Sequence, residues 1–74
     1  MDTVGSRIKA ARKAAGMTQA DLGEKMGIKY QNITGWETGK RNPTIKSICR
    51  LATLLNVKPC WLAFGNCWKE ELYG

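Results

Sequence analysis

The sequence predicts an all-α fold, a compact five-helix domain, on three observations. Apolar residues recur at intervals of three and four, and nowhere do they alternate with period two over four residues. Glycine, asparagine and proline fall where such segments should stop or start, at Gly16, Gly27, Gly39, Asn56 and Pro59. With 74 residues the chain supports one core and not two.

The elements follow in order. Val4, Ile8, Ala11 and Ala15 lie at i, i+4, i+7 and i+11, one apolar stripe for a first helix that Gly16 closes, since glycine takes the left-handed cap at no steric cost. Thr18-Gln19-Ala20-Asp21 reads as an N-cap with an acid three residues on, opening a second helix over about Gln19 to Met26. That helix buries Leu22 and Met26 and ends at Gly27. A third fits Lys29 to Glu37, with Ile33 and Trp36 inward and Thr38-Gly39 as its stop, before the basic loop Lys40-Arg41-Asn42-Pro43. Thr44 caps a fourth helix whose stripe reads Ile45, Ile48, Cys49, Ala52 and Leu55, with Leu51 flanking and Asn56 as left-handed terminator. Pro59 suits the first position of a short fifth helix reaching Phe64. The organisation is one domain over residues 1–65 and a tail over residues 66–74, where Phe64, Trp68 and Leu72 recur at i, i+4 and i+8.

Composition narrows the function. The net charge is +6, from twelve Lys and Arg against six Asp and Glu, which favours a polyanionic partner. The charge is concentrated: Lys25, Lys29, Lys40, Arg41, Lys46 and Arg50 face a single acid, Glu37, in the same stretch. There is no histidine, and Cys49, Cys60 and Cys67 are odd in number with no pair at CxxC spacing. A zinc centre and a disulfide scaffold are therefore not expected, and the cysteines read as small apolar fillers, Cys49 above all. No cofactor, small-molecule ligand or membrane association is expected, and without histidine or a Gly-rich phosphate loop no enzymatic machinery is legible. Reduced thiols and the absence of a signal segment point to the cytoplasm.

The second and third helices are joined by only Gly27-Ile28-Lys29, and a turn that short forces them to cross steeply. The crossing needs a minimal side chain where the helices touch, which Gly23 supplies, and a positive φ in the turn, which Gly27 supplies. Leu22, Met26, Ile28, Ile33 and Trp36 are spaced to form the small core that fixes the angle. This is the helix-turn-helix pattern, which leaves Tyr30 through Gly35 as a ridge.

With their flanks, RIKAARKAAGMTQADLGEKMGI, NITGWETGKRNP and LATLLNVKPCWLAFG resemble the DNA-binding domain of lambdoid-phage repressor and Cro proteins, within the wider Xre-type regulator class, over about Ser6 to Gly65. The resemblance implies a lambda-repressor-like domain that binds a palindromic operator in double-stranded DNA as a homodimer and so regulates transcription. It implies a base-contacting face of Tyr30, Gln31, Asn32, Thr34 and Gly35, in which the amides of Gln31 and Asn32 suit bidentate pairing with adenine. It implies phosphate contacts from Gln19, Lys29, Lys40, Arg41 and Asn42, and an ion pair between Arg12 and Glu37. The dimer contact it implies falls on Val57, Trp61 and Leu62, extended by Trp68 and Leu72 of the tail. Three positions depart from the pattern: Lys29 stands where Ser or Thr usually caps, Tyr30 is bulkier than usual, and Gly35 replaces a longer polar side chain. A restriction–modification controller or the DNA-binding antitoxin of a toxin pair would share this fold, the antitoxin adding a protein-binding surface for which the apolar tail is the one available feature.

Overall fold

The computed structural model describes residues 3–65, and these form five α-helices: α1 Val4–Ala14, α2 Gln19–Met26, α3 Tyr30–Thr38, α4 Ile45–Leu55 and α5 Pro59–Phe64. None is long and apolar enough to cross a membrane. The tail, and with it Trp68 and Leu72, lies outside the described residues.

Local chemistry accounts for the boundaries. At α2 the Thr18 hydroxyl accepts from the Asp21 amide while the Asp21 carboxylate accepts from the Thr18 amide, both at 3.0 Å. Those two amide donors lack intrahelical partners, so the exchange satisfies them reciprocally. A second capping box at α1, between Thr3 and Ser6, was not foreseen, because serine stands where Glu or Gln is usual. Gly27 and Gly39 close α2 and α3 in the left-handed region, Asn56 closes α4 there with φ 56°, and Pro59 opens α5.

The core is built from Ile8 and Ala11 of α1, Leu22 and Met26 of α2, Ile33 and Trp36 of α3, Ile48, Leu51, Ala52 and Leu55 of α4, and Leu62 of α5. Ile8, Leu22, Ile33, Leu51 and Leu62 are wholly enclosed, each contributing about 1.5–3 kcal/mol of burial. α3 packs on α1 and α2 while α4 and α5 close the other side. Three expectations are corrected. The buried face of α4 is rotated toward Leu51, so that Ile45 is 72% exposed and Cys49 is an exposed free thiol and not a filler. Cys60 is held in a disulfide, against the expectation of reduced cysteines throughout. Leu62, expected at a dimer surface, has 0% exposure and belongs to the core.

Two features that fix α3 rest on α1. Gly5 sits so close to α3 that a β-carbon there would lie 2.5 Å from the Trp36 carbonyl oxygen and 2.7 Å from that of Glu37. Arg12 donates through Nε to Glu37 Oε2 at 2.7 Å and through Nη2 to Oε1 at 3.2 Å, with Nη1 on the Met17 carbonyl at 2.9 Å. The side chains of this pair are 9% and 4% exposed. Arg7, also buried, ties α1 to α5 by donating to the Leu62 and Ala63 carbonyls at 3.0 Å. That use of Arg7, at carbonyls 55 and 56 residues away, has no signal in its own neighbourhood of the sequence. Among the described residues no buried side-chain nitrogen or oxygen lacks a partner.

Three outcomes follow for stability. Gly5→Ala should cost about 1–3 kcal/mol in urea denaturation, because the obstructing atoms are backbone and cannot step aside. Glu37→Ala should cost about 3–5 kcal/mol, since it strands a buried guanidinium. The third outcome concerns acid. The backbone hydrogen bond from Thr18, then that from its side chain, hold the Asp21 carboxyl below the usual aspartate range, aided by Lys25 and opposed weakly by desolvation. A folded-state pKa below the unfolded one means stabilisation that is present above the unfolded value and lost as pH falls through the folded one. Thermal melts should therefore show Asp21→Ala less stable than the parent at neutral pH, with the gap closing below about pH 4.

Candidate nucleic-acid interface

The short connection between α2 and α3 brings their backbones into contact at Gly23. A β-carbon on Gly23 would lie 2.9 Å from the Ile28 carbonyl oxygen and 3.2 Å from the Tyr30 nitrogen. The Ile28 amide donates to the Gly23 carbonyl at 2.9 Å, which locks the turn. With Ile33 and Trp36 directed into the core, the opposite side of α3 faces outward.

On that outward side Tyr30 is 52% exposed, Gln31 is exposed and Asn32 is half-buried. Lys29 is the N-cap residue of α3, makes no side-chain cap hydrogen bond and is exposed, which puts a positive charge beside the helix start. Lys40, Arg41 and Asn42, all exposed, follow the other end. Tyr30, Gln31, Thr34, Gly35, Thr38, Lys40 and Arg41 together line a shallow groove along the helix. Lys25, Lys46 and Arg50 are exposed as well, and Arg50 also donates to the Met26 carbonyl at 2.7 Å. The one acid of this stretch, Glu37, is turned inward onto Arg12, so the charge left outside is uniformly positive.

Three residues expected to meet DNA are engaged within the protein in this structure. Gln19 was expected at a phosphate, yet both ends of its amide are engaged: Nε2 donates to Glu37 Oε1 at 3.1 Å, and Oε1 accepts from the Thr34 hydroxyl at 2.7 Å. Thr34 was expected on a base and in this conformation spends its hydroxyl on Gln19 and, more loosely, on the Tyr30 carbonyl at 3.3 Å. These contacts make Gln19 and Thr34 a brace between the motif helices. Gly35, also expected to face a base, is buried under the aliphatic stem of Arg41, whose Cδ and Cγ would lie 3.1 and 3.2 Å from an added β-carbon. Sequence reasoning missed this because Gly35 and Arg41 meet only when the loop after Gly39 folds back on α3.

On the side of α5, Val57, Trp61 and Ala63 are partly buried against the core and Phe64 is 74% exposed. Val57 and Trp61 thus retain some accessible surface beside Phe64, whereas Leu62 has none.

Comparison with known proteins agrees with this architecture. The helix-turn-helix family model matches residues 8–62. The HTH-type transcriptional regulator DicA of Escherichia coli is 34% identical over 64 residues, which is 86% of this chain and 47% of DicA. The HTH-type transcriptional regulator ImmR of Bacillus subtilis is 35% identical over 60 residues, 81% of this chain and 47% of ImmR. The chain thus spans about half the length of these curated relatives. Among solved structures, the P22 c2 repressor in complex with a synthetic operator superposes with a TM-score of 0.82 at 30% identity, covering 89% of this chain and all of that one. Matched from within α1 into α5, and in three dimensions over most of its length, the chain belongs to the helix-turn-helix family.

Proposed function

We propose that this protein binds double-stranded operator DNA in a sequence-specific manner and regulates transcription, as a phage or prophage repressor or Cro-like protein, with α3 in the major groove. The observation that carries the reading is the outward ridge of α3, bracketed by Lys29 at one end and Lys40 and Arg41 at the other, on a scaffold like that of the P22 repressor held on operator. An α-helix fits the major groove, and side-chain amides at its exposed start match the donor and acceptor pair on an adenine edge. Gln31, exposed and outward, is the leading reader, with Tyr30 and Asn32 beside it. Lys29, Lys40 and Asn42 contact phosphates, which fixes register without reading sequence. Gln19 and Thr34 act indirectly, by holding α3 at its angle to α2.

Two copies dock on a palindromic site with half-site centres about 34 Å apart, one turn of the duplex. The face around Val57, Trp61 and Phe64 is the dimer contact in this reading, and its aromatic character, with Phe64 largely and Trp61 partly exposed, supports that assignment.

Selection from a random DNA pool, followed by titration of the selected site, tests the whole. The parent chain should enrich a palindrome, and Gln31→Ala should relax preference at one position per half-site. Lys40→Ala should weaken binding to every sequence and lower the salt slope by about 1. Equal loss on selected and random DNA for Gln31→Ala would remove the readout role, and sedimentation of one chain per selected site would remove the dimer.

A further inference from the structure

Arg41 belongs, by its place in the chain, to a basic loop after the recognition helix, where an arginine is expected to meet a phosphate. Its observed placement is different. Its amide donates to the Gly35 carbonyl at 3.1 Å, which folds the loop back against the last turns of α3. Its stem then runs along the helix in the space where residue 35 would carry a side chain, with Cβ, Cγ and Cδ within 3.1–3.4 Å of an added β-carbon. Its Nη1 donates to Asn32 Oδ1 at 3.4 Å. Residues 32 and 35 lie on one face, a turn apart. The guanidinium is therefore brought back toward the start of α3, to the level of the residues that face the groove.

Resting on the DNA-binding reading above, we propose that Arg41 is a base-reading residue of this protein, directed at a guanine in the major groove, and that Gly35 is the notch that admits it. A guanidinium carries five N–H donors in a rigid fork, and only one is spent on Asn32. The remaining donors match the O6 and N7 acceptors of guanine, the pair that arginine reads bidentately. The long side chain is already laid down in the free protein, so less rotamer freedom is lost on binding. A phosphate contact needs no such seat, and exposed Lys40 beside it has the charge for one. The departure of residue 35 from the polar side chain usual in the family acquires a reason: its place on the reading face is taken by an arginine arriving from the loop.

The test compares the parent with Arg41→Lys, Arg41→Ala and Gly35→Ala by selection from a random pool and by titration of selected and random duplexes. Arg41→Lys keeps the charge and loses the fork. Gly35→Ala keeps the arginine and fills its seat; the obstructing atoms are a flexible side chain, and alanine favours the helix, so the variant should fold with unchanged or raised Tm. All three should lose preference for guanine at the same position of each half-site, by roughly 5- to 150-fold. Arg41→Lys and Gly35→Ala should keep the parent's affinity for random DNA. The proposal is overturned if Arg41→Lys restores parental selectivity while Arg41→Ala weakens selected and random DNA by one factor, or if Gly35→Ala leaves the selected motif intact. A parent chain that enriches no sequence at all would remove the DNA-binding reading, and this inference with it.

Discussion

The position of α3 depends on one carboxylate. Glu37, in the last turn of α3, accepts from Arg12 of α1 through both oxygens and from Gln19 of α2 through one. Apolar packing of Ile33 and Trp36 is non-directional and alone would tolerate some rotation of α3 about its axis. A buried carboxylate tolerates little, because each lost donor leaves desolvated charge. The net contribution of such a pair relative to an apolar replacement is small, so what it provides is orientation more than stability. Through Gln19 and Thr34 the same network reaches the middle of α3, so the helix is held at two heights.

Missing side chains matter as much as present ones. Gly5, Gly23 and Gly35 all lie inside helices, where each costs about 1 kcal/mol relative to alanine. In a domain of this size such costs are felt. Gly5 and Gly23 return close backbone approach, of α1 to α3 and of α2 to the start of α3. At Gly35 the atoms nearest an added β-carbon belong to a side chain, the stem of Arg41. The first two set where the ridge stands, and the third alters what the ridge presents.

The electrostatic arrangement follows from the same packing. Spending Glu37 on Arg12 withdraws the single acid of the segment between Lys25 and Arg50, so an interior ion pair makes the exterior more uniformly basic. Exposed positive charge on both flanks of α3 favours encounter with a polyanion.

The helices themselves were legible in the sequence to within a residue or so at their ends. Thr18 with Asp21, Gly27, Gly39, Asn56 and Pro59 act through their own backbone neighbours, and the crossing at Gly23 follows from the shortness of the turn. In α4 the spacing puts Ile48, Ala52 and Leu55 inside as observed but also Ile45 and Cys49, because spacings of three and four define adjacent faces equally well and only tertiary packing selects Leu51. The seat of Arg41 on Gly35, the inward turn of Gln19 and Thr34, the docking of Arg7 on α5 and the enclosure of Leu62 join residues from 6 to 56 positions apart. Periodicity and caps are set by neighbours within one or two turns, so they are written in the local order of residues. Which side chains face a partner, and which are consumed in holding the domain together, is decided only when distant segments compete for the same space.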